Sequence, residues 1–156
     1  MKGEGVKVEE ISSIEMEDLM SRIKNYQKKY GAIYDEFMKS FKDEEASFEE
    51  LIDQFEWQTY WLELRRRLQQ TGMLKVKASR LEEYAPIFTP LKMKILSYLL
   101  VKKGATVSEI AKEIGKPVGS VSKGLEVLRR HNLVAVEPKN GRKVYRPLVK
   151  EITITV

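Results

Sequence analysis

Apolar positions along the chain fall into helical stripes separated by polar turns, with alternation at a few places only. Val6, Val8 and Ile11 flank Lys7 and Glu9, a short alternating segment that predicts a strand or a frayed arm. Ser12 and Glu15 have the spacing of a capping box, so a helix is expected to start there. Met16, Leu19, Met20, Ile23, Tyr26 and Tyr30 then recur every three or four residues and make one apolar face. Gly31 interrupts the pattern, and Tyr34, Phe37, Met38 and Phe41 form a second, shorter stripe. Asp43-Glu44-Glu45 reads as a solvated turn.

Ser47 with Glu50 is a second capping box and opens the longest predicted helix, to about Gln70. Its apolar residues are too many for one stripe: Leu51/Phe55 and Trp57/Trp61 lie four apart on different sides. A helix apolar on two sides is either internal or covered by a second partner, the basic half of the chain or another copy. Trp57, Trp61 and Leu64 are the candidate anchors of a dimer interface. Thr71-Gly72 ends the helix, and residues 73–86 read as a connector with a short helix around Arg80 to Tyr84.

The second half of the chain has stronger punctuation. Thr89-Pro90 starts a helix through Leu91, Ile95, Leu96, Leu99 and Leu100 that stops near Gly104. Thr106 and Glu109 form a third capping box, opening a short helix that Gly115 ends. Pro117 starts a third helix with Val118, Val121, Leu125 and Leu128 inward, and Asn132 takes its stop position. Leu133 to Val136 is a strand, Glu137 to Lys143 a hairpin turn around Asn140-Gly141, and Val144 to Arg146 the returning strand. The expected fold is mainly α with a small β-hairpin. Its expected divisions are an acidic helical region (1–72), a connector (73–86), a helix-turn-helix with hairpin (87–150) and a C-terminal strand or tail (151–156).

Charge sharpens this division. Residues 1–86 hold 14 Lys/Arg and 18 Asp/Glu, a net of −4; residues 87–156 hold 14 Lys/Arg and 5 Glu, a net of +9. Only the second half is drawn to a polyanion, although a basic surface also serves solubility. The chain has no cysteine and one histidine, His131, which excludes disulfides, cysteine nucleophiles and a multi-histidine metal cluster within one chain. No catalytic Ser/His/Asp set, phosphate-binding glycine loop or metal-ligand spacing is present, so neither an enzyme nor a cofactor is expected. MKGEGVKVEE lacks an apolar signal core and no apolar run is long enough to span a bilayer, so a cytoplasmic protein is expected.

The segment TVSEIAKEIGKPVGSVSKGLEVLRRHNLVAV with the hairpin PKNGRKVYR closely resembles a winged helix-turn-helix. The preceding IFTPLKMKILSYLL is similar to the first helix of prokaryotic transcriptional regulators of the ArsR and MarR type. That resemblance implies double-stranded DNA as partner, with the third helix entering the major groove. Ser120, Ser122 and Lys123 near its N-terminus would then meet base edges or phosphates, and Lys116 in the preceding turn a phosphate. Lys139, Asn140, Arg142 and Lys143 surround the wing tip and would reach a minor groove or flanking phosphates. Arg130 either reaches backbone or simply complements the helix C-terminus. Gly119 and Gly124 weaken the recognition helix; Gly124 permits close approach either to DNA or to another helix. A regulator of this size is expected to be a homodimer on a two-fold operator. The first half, with Tyr30-Gly31, Glu36-Phe37 and Glu56-Trp57, resembles small prokaryotic antitoxin-type proteins over residues 22–68. This implies an alternative: a protein-interaction module, or an antitoxin-type partner that also represses its own operon.

Overall fold

The structure, a computed structural model, describes residues 8–156. Val6 and Lys7 of the opening segment lie outside the described residues; from Val8 the backbone is helical, not extended. The chain divides into two compact units, the boundary falling between Gln70 and Thr71. It is mainly α-helical, with a β-hairpin and one further two-stranded sheet. None of the helices among the described residues is long and apolar enough to cross a membrane.

The first unit holds α1 (Val8–Ser13), α2 (Met16–Tyr30), α3 (Tyr34–Ser40), a single 3-10 turn (Asp43–Glu45) and α4 (Phe48–Thr71). The capping box expected at Ser12 and Glu15 does not form. Ser12 sits inside α1, and Glu15 precedes α2 with no side-chain cap. Arg67 of α4 instead donates to the carbonyl oxygens of Ile11 and Ser12, at 3.0 and 3.3 Å. The box at Ser47 and Glu50 does form: Glu50 N–H donates to Ser47 Oγ, and Ser47 N–H to Glu50 Oε1.

The core of this unit is aromatic. Trp57 is fully buried, with the rings of Phe37, Tyr34, Tyr26 and Tyr30 centred 5.0, 5.4, 5.6 and 5.9 Å from its own. Leu19, Ile23, Leu64 and Leu68 complete the packing. The tyrosine hydroxyls reach polar partners at the rim, as buried phenols require. Tyr26 donates to Glu56 at 2.8 Å, and Tyr30 to Asp53 at 2.6 Å. Asp53 also accepts from Lys29 at 2.5 Å. Burial raises the Asp53 carboxyl, but the Lys29 and Tyr30 hydrogen bonds outweigh it and hold the group below the usual carboxylate range.

This packing corrects the expected dimer anchors. Trp57 and Leu64 are completely enclosed by the unit's own side chains and have no surface to offer a partner. Trp61 is half-buried, against Tyr34 on one side and beneath the Arg65 guanidinium at 4.8 Å. The second apolar side of α4 is real but lies opposite, where Phe48, Leu51, Ile52, Phe55 and Leu62 are exposed.

The second unit begins with β1 (Met73–Lys77), followed by a 3-10 segment (Ala78–Ile87). Residues 73–86 are therefore not a connector. β1 pairs in parallel with β4 (Glu151–Thr155), Met73 opposite Glu151 and Lys77 opposite Thr155. Leu74 and Val76 point into the core, and Lys75 and Lys77 point out. The short helix expected around Arg80 to Tyr84 is part of the 3-10 segment, which buries Tyr84 and Ile87.

Between these strands run α5 (Pro90–Lys102), α6 (Val107–Ile114), α7 (Val118–Arg130), β2 (Val134–Lys139) and β3 (Arg142–Pro147). Each local start signal is used. Thr89 Oγ1 accepts from Lys92 N–H with Pro90 at the first helical position, and Thr106 with Glu109 makes both bonds of a capping box. Ile95, Leu99, Ile110, Val121, Leu125, Leu128 and Leu133 are fully buried where the three helices and β2 meet. Ala105 and Tyr145 exchange two backbone hydrogen bonds, which ties the α5–α6 link to the hairpin.

Candidate nucleic-acid interface

Helix α7 is amphipathic, and its two faces have different work. Val121, Leu125 and Leu128 anchor it, while Ser120, Ser122 and Lys123 are all exposed at its N-terminal end. The preceding turn holds Gly115, whose positive φ of 76° ends α6, then the exposed Lys116 and Pro117. Lys116 in the turn and the three α7 residues are thus all exposed around the start of the helix. Val118, expected inward with Val121, Leu125 and Leu128, is instead just over half exposed and joins them, and thymine methyl groups are read by apolar contact.

The two glycines of α7 serve different ends. A Cβ on Gly124 would stand 3.0 Å from Ile95 Cδ1 and 3.7 Å from Lys92 Cγ. Gly124 is buried, so of the two readings the sequence allowed, it is the approach of α5 that requires glycine, not DNA. Gly119 has no atom within 4 Å of where a Cβ would be, and it lies in the first turn of α7. Its cost to the helix is accordingly smaller than for an interior glycine.

The wing is a tight hairpin. Asn140 and Gly141 have φ of 52° and 76°, the two successive positive values a two-residue type I′ turn demands. Lys139 pairs with Arg142 and Pro138 with Lys143 across the ladder, so the cations gather at its end. Lys139, Asn140, Arg142 and Lys143 are all exposed, and among the described residues none of the three cations hydrogen-bonds or ion-pairs. Arg146, further down the wing, is different. Its Nε meets Glu137 at 2.8 Å and its Nη1 donates to Lys103 O at 3.0 Å, so its charge is committed to the fold.

At the other end of α7, Arg130 lies 3.7 Å from Glu126, and Arg129 lies 3.6 Å from the same carboxylate. Arg130 is mostly exposed, whereas Arg129 is largely buried. Both cations also stand in the last turn, where they complement the helix C-terminus. His131 occupies the cap position, with Nδ1 2.9 Å from Val127 O and Nε2 3.3 Å from Glu83 O.

Helix-turn-helix followed by a cationic hairpin defines a DNA-binding domain of the winged-helix class. Residues 88–151 match the family model of TrmB, described as a sugar-specific transcriptional regulator. The match lies entirely within the second unit. It is to TrmB and not to the ArsR or MarR type that the motifs resemble. What the two readings share is the DNA-binding domain of a transcriptional regulator, and TrmB is a family of regulators, not of enzymes. No curated protein matches the sequence.

Proposed function

We propose that the chain is a sequence-specific, homodimeric transcriptional regulator that lays α7 in the major groove and its wing along the adjacent backbone. One observation carries this reading. The residues of α7 that do not build the core, Ser120, Ser122 and Lys123, form an exposed polar edge at the helix N-terminus. In the helix-turn-helix geometry that end meets base edges. The net charge of +9 over residues 87–156 supplies non-specific attraction, and the unpaired wing cations supply phosphate contacts. Lys116 takes a phosphate beside the recognition helix, and Arg130 one at its far end. The N-terminal unit holds the two copies together, so that each operator half-site receives one recognition helix.

Selection of bound sequences from a random duplex pool tests the reading. It should enrich a two-fold repeat with half-sites about one helical turn apart. Lys123→Ala should then cost about 1–3 kcal/mol on the enriched site and much less on random duplex. Failure to enrich any sequence, or an equal loss on both duplexes, would remove α7 as the reading element.

A further inference from the structure

The outward face of α4 is the largest feature the DNA-binding reading leaves unused. At 100° per residue, Phe48, Leu51, Ile52, Phe55 and Leu62 fall within an arc of about 100°, opposite the buried Trp57 and Leu64. Phe48 is 78% exposed and Phe55 68%. Thr59 lies in the same arc, and its hydroxyl donates to Phe55 O at 2.9 Å, so its polar group is already satisfied within the helix. Counting an aromatic side chain as ~200 Å² and the aliphatic ones in proportion, the five residues expose on the order of 500 Å². That is the size of the largest patch on an ordinary monomer, and such patches are commonly functional.

We propose that a second copy of this chain covers the stripe, α4 against α4, antiparallel about a two-fold axis through Phe55. The inference rests on the homodimer reading above and adds the surface and its geometry. Two properties point to this occupant. The first is symmetry: Phe48 and Leu62 each lie seven residues from Phe55. An antiparallel two-fold at Phe55 sets Phe48 of one copy on Leu62 of the other, and Phe55 on Phe55. An isologous contact needs such a self-complementary patch.

The second is charge. The N-terminal end of the stripe is flanked by Asp43, Glu44, Glu45 and Glu49, the C-terminal end by Arg65 and Arg66. Lys42 and Lys29 offset part of the first group and Glu63 part of the second, without changing either sign. Antiparallel pairing sets each acidic end on a basic one; parallel pairing sets like on like, which costs affinity. Two copies bury about 1,000 Å² in all, near the lower limit for a specific interface, so a micromolar dimer is expected.

The cysteine-free sequence makes a clean test, because a single introduced thiol has no competitor. In the full chain at micromolar concentration, Phe55→Cys should form an intermolecular disulfide on mild oxidation. Phe48→Cys and Leu62→Cys should each fail alone, since like positions stand about 20 Å apart in this arrangement, and should cross-link when mixed. Phe55→Glu should convert a sedimenting dimer to monomer with its helical circular dichroism intact. If the protein sediments as a dimer but resists Phe55→Glu and gives no cross-link at position 55, this interface is wrong and the homodimer reading stands. A wild-type chain that stays monomeric, alone and on DNA, overturns both. Self-cross-linking at positions 48 and 62 would show a parallel pair and overturn the geometry.

Discussion

Replacing Arg142 and Lys143 together by alanine removes two cations from the wing without disturbing the fold that carries them. Both side chains are exposed, and neither hydrogen-bonds nor ion-pairs within the described residues. The turn between the strands depends on Asn140 and Gly141, which remain. Melting temperature should therefore hardly move. If each cation meets one phosphate, the slope of log K against log salt should flatten by about 0.9 per contact, or ~1.8 for the pair. Between 50 and 200 mM salt the native protein should then lose about twelvefold more affinity than the variant. Fluorescence anisotropy on a labelled random duplex at four or five salt concentrations measures this directly. Arg146→Ala is the internal control. Its guanidinium is held by Glu137 and Lys103 O, so its loss should lower the melting temperature and leave the salt slope nearly unchanged. A slope that stays the same in the double variant, or that falls equally for Arg146→Ala, would refute the placement of the wing on the phosphate backbone.

Other outcomes follow from the packing. Trp57→Ala empties the centre of the aromatic cluster and should cost about 3–5 kcal/mol in denaturant unfolding, whereas an exposed change such as Gln58→Ala should stay within about 0.5 kcal/mol. Gly124→Leu should separate α5 from α7 and unfold the second unit at markedly lower temperature, while Gly119→Ala, with open space around it, should be neutral or slightly stabilising. Alkaline titration should show tyrosines that ionise late. Burial, then hydrogen bonds to carboxylates, raises Tyr30 to about 12 and Tyr26 further still, and burial raises Tyr34. Because the unfolded phenols ionise first, near pH 10, the stability these groups confer is complete below that pH and is lost as pH rises towards the folded values. Phenolate absorbance reaching the full value for all seven tyrosines near pH 10, with the helical signal intact, would contradict this order.

Local chemistry and long-range chemistry were not equally legible in the sequence. Capping at Thr89, Thr106 and Ser47 depends on residues three apart, and each forms as spacing predicts. The same spacing at Ser12 and Glu15 misleads, because Ser12 lies inside α1, whose last carbonyls accept from Arg67, more than fifty residues away. β1 is hidden in the sequence for a related reason. Its Leu74-Lys75-Val76-Lys77 alternation is visible, but a strand so short is stable only beside its partner at residues 151–155. For α4 the sequence shows that two sides are apolar. It does not show which side the tyrosines of α2 and α3 select, and the structure gives that side to Trp57. The candidate DNA surface was the more legible part, since it consists of what the helical period and the turn residues leave outside the core.

The pairing of β1 with β4 also sets a schedule for synthesis. A ribosome adding about 5–20 residues per second needs roughly 4–16 seconds to pass from Met73 to Glu151. During that interval α5, α6, α7 and the wing can form, but β1 has no neighbour and the apolar side chains of Leu74 and Val76 lack their cover. The nascent chain therefore carries an open strand edge of the kind chaperones and other nascent chains recognise. Closure comes only with residues 151–155, the last strand in the chain order. A fragment cut at residue 150, though it keeps nearly all the DNA-facing side chains, should stay in this half-closed state, and its weakness would appear as aggregation during expression before any loss of DNA affinity could be measured.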